Sequence, residues 1–316
     1  GLVGSEMCIR DRMYGRADEI PSSVMDSLRA EAVRMAKDAD LVILVGGLNK
    51  NHFQDCEGGD RLQYGLPFGQ NELIEALSGV NKNVVLVLLS GNAVEMPWVN
   101  KVPAIVQGWY LGSMGGKSLA DVLSGAVNPS GKLPFSFPAK LADCGAHAFD
   151  TLSYPGDSIR EEYKEDILVG YRWHDTKKIP ALFPFGHGLS YTTFAYGKPV
   201  ASAKTMDSDG TLTVTVPVKN TGSVAGKEVV QLYVGDEKCD VLRPVKELKH
   251  FRKVSLAPGE EKEIVFTITP DDLKYYRPLA NTWQADAGKF TLYFGSSSAD
   301  IRCKLTFEMR QIVYPL

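Results

Sequence analysis

The sequence predicts a doubly wound α/β domain followed by an all-β sandwich. Three observations carry this. Two near-continuous apolar runs, 41–45 and 84–89, read as buried parallel strands set among helical patterns. Beyond about residue 196 the pattern changes to strict alternation, first in Thr211-Leu-Thr-Val-Thr-Val-Pro-Val-Lys219. The length, 316 residues, suits about two domains.

The elements follow in order. A helix is predicted over 22–38, with Ser22 and Ser23 as N-cap candidates and Val24, Leu28, Ala32, Met35 and Ala36 on one face. Asp40 to Gly47 is a buried strand that ends in two glycines. A polar loop, 48–64, leaves it. A helix over 70–77, a strand over 83–89, a strand over 103–108 and a helix over 115–123 come next, with Gly125 as a helix stop. Ligands in such sheets sit at the carboxyl ends of the strands, where the 46–61 loop emerges. Residues 139–190 are rich in turn signals, among them Pro155-Gly156, Pro184, Gly186 and Gly188, and read as a long connection. Strands at 229–234, 251–256, 263–268 and 290–294 follow. They are separated by turns at Asn220-Thr-Gly222, Pro258-Gly259 and Ala287-Gly288, as in a sandwich. The expected division is a leader over 1–12, an α/β domain over 13–195 and a β-sandwich over 196–316. Gly1–Arg12 lacks the basic start and apolar run of a signal peptide and reads as a foreign leader or a frayed terminus.

Composition excludes several function classes. The net charge is −3 and no basic stripe occurs, so a nucleic-acid partner is not expected. The apolar runs fall far below the roughly 20 residues that span a bilayer, so a membrane partner is not expected. Cys8, Cys56, Cys144, Cys239 and Cys303 are scattered without a CxxC pair, and no HExxH motif links the five histidines. Neither Gly46-Gly47 nor Gly58-Gly59 completes a dinucleotide or phosphate loop. No metal and no cofactor are expected. The cysteine usage leaves the compartment open, and a periplasmic or secreted location fits as well as a cytoplasmic one.

The candidate site is Asp55-Cys-Glu-Gly-Gly-Asp-Arg61. Glu57 stands at the end of a parallel strand, and the following glycines let the backbone approach a ligand. Spacing leaves two readings open: a general acid with a raised pKa, or a solvated loop acid. Asp60 beside Arg61 suggests an ion pair that fixes the loop. His52 is a candidate ligand contact. Trp98, with Trp109 and Tyr110, is placed to stack on sugar rings or to pack in a core. Cys56 has no motif that makes it a nucleophile.

Several ordered motifs together resemble glycoside hydrolase family 3. They are Val45-Gly-Gly-Leu-Asn49, Glu57-Gly-Gly-Asp-Arg61, Leu66-Pro67 with Gln70, Ser90-Gly-Asn-Ala-Val-Glu-Met-Pro-Trp98, Trp109-Tyr110 and Asn128-Pro-Ser-Gly-Lys-Leu-Pro134. Gly170-Tyr171-Arg172 and Leu182-Phe-Pro-Phe-Gly-His-Gly188 resemble the close of that family's α/β-sandwich domain. Val218-Lys-Asn-Thr-Gly222, Val230-Gln-Leu-Tyr-Val234 and Pro258-Gly259-Glu260 resemble its immunoglobulin-like, fibronectin type III-like domain. The resemblance implies a retaining β-glycosidase, β-glucosidase-like, acting on a β-linked oligosaccharide or glycoside. It implies Glu57 as the general acid/base, with His52, Asp60, Arg61 and Trp98 near the substrate. The family's nucleophile is an aspartate on a preceding barrel domain. A barrel alone takes about 250 residues, so this chain has no room for it. The chain is therefore expected to be inactive alone, with the barrel as its missing partner. The other reading is a non-catalytic structural or carbohydrate-binding module with a remnant site. Surface made for the barrel, including Trp98, Trp109 and Tyr110, is expected to be exposed.

Overall fold

The computed structural model describes residues 21–49, 55 and 61–312. The chain divides into two compact units, 1–120 and 121–316. Among the described residues no helix is long and apolar enough to cross a membrane.

The first unit is built on a parallel sheet. Helix α1 (Ser22–Lys37) precedes strand β1 (Val42–Gly47), and α2 (Gln70–Val80) precedes β2 (Val84–Leu89). Strand β3 (Ala104–Gln107) follows, and α3 (Gly115–Leu123) runs across the boundary between the units. The sheet order is β1-β2-β3 and both pairs are parallel, with Val42 opposite Val84 and Val85 opposite Ala104. Ala32 and Ala36 of α1 pack with Leu73 and Leu77 of α2 over Val42 and Leu44. Strand alternation then turns Ile43 and Val45 to the opposite face, where each is 49% exposed. The amide of Asn81 ties the helix ends together by donating to the carbonyls of Ala36 (2.8 Å) and Ala39 (2.7 Å).

One expected detail is corrected. Ser22 and Ser23 do not cap α1; the cap position is Pro21, with no side-chain bond. Proline at φ −53° already holds the backbone angle a helix needs. The stop at Gly125 is present: it takes φ +79°, and its N–H reaches the carbonyl of Val122 at 3.0 Å.

The second unit contains the sandwich. Residues 121–193 contribute the short pair β4 (Phe137–Pro138) and β5 (Ala181–Phe183), with α4 (Tyr171–Lys177) between them. The sandwich strands are β6 (Phe194–Tyr196), β7 (Val200–Ala201), β8 (Thr205–Met206), β9 (Leu212–Asn220), β10 (Gly226–Asp236), β11 (Glu247–Leu256) and β12 (Glu261–Ile268). A turn of helix, α5 (Pro270–Leu273), and a hairpin of β13 (Tyr275–Arg277) and β14 (Thr282–Gln284) lead to β15 (Gly288–Gly295) and β16 (Ile301–Met309). One sheet runs β11-β10-β15-β16-β8; the other runs β12-β9-β6, with β7 also on β9. The predicted alternation in β9 is realised: Leu212, Val214, Val216 and Val218 are fully buried against Phe266, Phe290, Phe294 and Phe307.

Polar bonds join 121–193 to the sandwich strands. Lys132 pairs with Glu228 of β10 at 3.7 Å, and Glu228 also accepts from the Tyr196 hydroxyl at 2.9 Å. Burial pushes the Glu228 carboxyl up and the Lys132 amine down, each opposed by the other's charge. Asp175 pairs with Lys246 at 2.6 Å, and the Tyr171 hydroxyl accepts the Leu248 N–H at 2.7 Å.

Asn220 is fully buried at the predicted Asn-Thr-Gly turn. Its oxygen accepts from the Thr192 hydroxyl (2.6 Å) and the Gly222 N–H (3.0 Å). Its nitrogen donates to the carbonyls of Val224 (2.8 Å) and Leu256 (3.1 Å). Asn220→Ala should therefore destabilise this unit, at about 1–3 kcal/mol for each buried group left unpaired. Urea denaturation read by intrinsic fluorescence measures this; an unchanged midpoint would contradict the role given to Asn220.

Candidate active site

The site region lies at the carboxyl ends of β1, β2 and β3. Strand β1 ends at Gly47, whose φ of +138° suits glycine. A Cβ there would sit 1.9 Å from the Leu89 carbonyl oxygen, so no side chain fits. The Gln70 amide clasps this strand end. Its oxygen accepts the Gly47 N–H at 2.7 Å, and its nitrogen donates to the Gly47 carbonyl at 2.8 Å. The start of α2 is thereby fixed to the point where the loop departs.

Asp55 lies in that loop. Its Oδ2 accepts two bonds, from the Gly91 N–H (2.9 Å) and the Tyr110 hydroxyl (2.6 Å). Gly91 follows β2 and Tyr110 follows β3, so one carboxylate oxygen joins the segments after all three strands. A Cβ on Gly91 would come within 2.8 Å of both Asp55 Oδ2 and the Tyr110 ring. Burial, then the hydrogen bond to Asp55, pushes the Tyr110 phenol up to about 12.

Arg61 follows in the sequence. Its Nη2 donates to the Ala93 carbonyl at 2.6 Å, and its guanidinium lies 5.7 Å from the centre of the Tyr64 ring. Burial lowers its pKa, opposed by the charge of Asp55. Arg61 therefore holds the backbone that follows β2.

Of the other expected site residues, Glu57, Asp60 and His52, with Cys56, lie outside the described residues. Trp98 is corrected. It is fully buried, and its indole N–H donates to Asn71 Oδ1 of α2 at 2.7 Å. No face of the ring is free for a sugar, so Trp98 is a core residue. Tyr110 is 44% exposed, while Trp109 is half-buried. Leu62 and Met114 are exposed in the same unit. Asp55, Gly91 and Gln70 are the residues that spacing did not single out for a role; the Gln70 and Gly91 positions were visible only as motif members.

The remaining histidines lie in the second unit. His174 meets the Ile179 carbonyl at 3.0 Å, and His250 meets Asp272 at 3.0 Å. Among the described residues one group has metal-ligand character: Asp236, Cys239 and Asp286. Its oxygens already accept from protein donors. Arg243 donates to Asp236 at 3.1 Å, and Tyr275 and Gln284 donate to Asp286 at 2.8 and 2.7 Å.

Residues 9–191 match the family model for the glycosyl hydrolase family 3 C-terminal domain. The chain belongs to glycosyl hydrolase family 3. Residues 228–298 match the fibronectin type III-like domain model, in keeping with the sandwich. The chain is 68% identical over 299 residues to β-glucosidase BoGH3A of Bacteroides ovatus, covering 95% of this chain and 40% of that protein. It is 45% identical to thermostable β-glucosidase B of Acetivibrio thermocellus, covering 91% of this chain and 37% of that one. Among solved structures, the β-glucosidase of Kluyveromyces marxianus in complex with glucose aligns with a TM-score of 0.84 at 39% identity. That alignment covers 92% of this chain and 34% of the other. The chain thus spans well under half the length of these family 3 relatives.

Trp98→Phe should cost about 1–3 kcal/mol, because Asn71 loses its buried donor. Denaturation curves of the two proteins test this, and equal stability would contradict the buried bond. Alkaline titration tests the other contact. A raised phenol favours the folded state below its ordinary value of 10, and that contribution is lost as pH rises through about 12. The phenolate absorbance missing from Tyr110→Phe should therefore lie near pH 12; a missing component at 10 would contradict the Asp55 contact.

Proposed function

We propose that this chain supplies the general acid/base carboxyl, Glu57, of a retaining β-glucosidase whose nucleophile lies on a barrel domain outside it. One observation carries the reading. The family 3 C-terminal model covers residues 9–191, and the chain accounts for only 40% of a β-glucosidase to which it is 68% identical. In this reading the α/β-sandwich domain runs over 13–195 and the fibronectin type III-like domain over 196–316.

The chemistry needs two carboxyls about 5–5.5 Å apart across the scissile bond. The barrel's carboxylate attacks the anomeric carbon as Glu57 gives its proton to the departing glycosidic oxygen. Glu57 then takes a proton from water, which releases the sugar with retained configuration. The nearby carboxylate raises the proton affinity of Glu57 until the glycosyl ester forms and its charge is gone. Supporting this placement, Glu57 belongs to the loop leaving β1 at the carboxyl edge of a parallel sheet, where α/β folds bind ligands. Sites between domains are common. The exposed apolar residues near that edge, Leu62, Tyr110, Leu111 and Met114, suit a surface that another domain covers. Arg61, with Asp60, serves to hold the loop, and His52 stands in the same loop.

The chain alone should not turn over an aryl β-glucoside; joined to a family 3 barrel it should. In the joined protein Glu57→Gln should depress turnover most for poor leaving groups, which depend most on protonation, by about 10²–10⁴-fold. Robust turnover by the isolated chain would refute the missing nucleophile. Indifference to Glu57→Gln with a poor leaving group would refute the acid role and favour a non-catalytic module.

A further inference from the structure

We infer that the second unit holds a non-catalytic binding site for a neutral polyol or monosaccharide, in a cavity between α4 and the turn that joins β15 to β16. The cavity has a volume of about 310 Å³, at the lower end of the roughly 300–1,000 Å³ of small-molecule sites. Ser136, His174 and Ser298 line it, and they are only 8%, 7% and 1% exposed. The inference is independent of the acid/base reading, because no residue of the loop after β1 takes part.

Each of the three keeps hydrogen-bonding capacity that the protein does not use. The His174 Nδ1 meets the Ile179 carbonyl at 3.0 Å. A carbonyl only accepts, so Nδ1 carries the hydrogen and Nε2 of the neutral ring is an acceptor. That Nε2 has no protein partner among the described residues. The Ser136 Oγ accepts the Phe185 N–H at 3.1 Å, which leaves its own hydrogen to donate. The Ser298 hydroxyl meets no protein partner among the described residues, and a hydroxyl both gives and takes. Buried polar groups are normally paired, so three such groups around one cavity point to a ligand rather than to packing.

The frame is fixed. Phe185 ties the two serines together: its N–H goes to Ser136, and its carbonyl accepts the Ser298 N–H at 2.9 Å. Its ring stacks on Tyr171 with centres 4.9 Å apart. The Ile179 N–H returns to the His174 carbonyl at 2.9 Å, so Ile179 holds both the backbone and the ring of the histidine.

The donor and acceptor pattern selects the ligand. His174 Nε2 needs a donor and the Ser136 hydroxyl needs an acceptor, and neighbouring hydroxyls of a sugar supply both. Ile179, Pro184 and Ala299 offer apolar wall to the C–H groups of its ring. Asp175 and Lys178 bring charge to the lining. Asp175 is paired with Lys246 at 2.6 Å, and Lys178 is exposed, where a charge contributes little. A carboxylate ligand only accepts and would leave His174 Nε2 without a partner.

The test titrates the full chain with D-glucose and follows the His174 Nε2 and Ile179 methyl resonances by NMR. Both should shift saturably, and sodium acetate should move neither. Ala299→Phe fills the cavity and should abolish the glucose response. His174→Asn keeps a donor for the Ile179 carbonyl and removes Nε2; the Ile179 methyl should then report binding about tenfold weaker. Ala299 is exposed, so its variant tests the site even where His174→Asn does not fold. The absence of a saturable shift with glucose overturns the site, as does a glucose response that survives Ala299→Phe. Unchanged affinity in His174→Asn overturns the assigned contacts, and a response to acetate but not to glucose overturns the neutral ligand class.

Discussion

A single carboxylate oxygen on Asp55 gathers the segments that follow all three strands of the parallel sheet. It receives the Gly91 amide and the Tyr110 hydroxyl at once. Beside it, Gln70 clasps Gly47 at the end of β1, and Arg61 donates to the Ala93 carbonyl after β2. These contacts depend on small residues. Gly47 has no room for a Cβ beside Leu89, and Gly91 has none beside Asp55. Gly47 and Gly91 thus serve close approach of backbone and side chain.

The second unit depends on a different constraint, the pairing of buried polar groups. Glu228 is nearly inaccessible, yet it keeps Lys132 and Tyr196 as partners. Removing one member of such a pair costs about 3–5 kcal/mol, mostly because the other charge is left stranded. Asn220 goes further and satisfies all of its buried polar atoms, joining a turn to two neighbouring segments. Apolar alternation builds the sandwich, and these bonds attach 121–193 to it.

Much of this was legible because it is local. The apolar run that became β2 and the period-two pattern of β9 arise from burial of a strand's own side chains; the run at 41–45 does form β1, but Ile43 and Val45 stay half exposed instead of buried on both faces. Strand β16 carries the same period-two signal, with apolar residues at 301, 303, 305, 307 and 309 alternating with Arg302, Lys304, Thr306 and Glu308. The long-range pairings were not legible. Trp98 sits in a turn after a strand and looks like a ligand platform; its partner Asn71 lies on another element, and only folding brings them together. Asp55 shows in the sequence only as the start of the Asp55–Arg61 stretch. Its real partners are 36 and 55 residues away. A cap at Ser22 or Ser23 was expected from residue type, and the fixed proline angle one position earlier prevailed.

In the proposed reading one reaction is divided between domains, and this chain carries the proton-transfer half. Azide rescue tests that division most directly. In the barrel-joined protein, Glu57→Ala leaves the glycosyl ester without a base to activate water. Azide needs no deprotonation and attacks the ester directly. With an activated aryl β-glucoside, azide should accelerate turnover of Glu57→Ala and yield the β-glucosyl azide. Turnover unaffected by azide, with glucose as the sole sugar product, would contradict Glu57 as the acid/base.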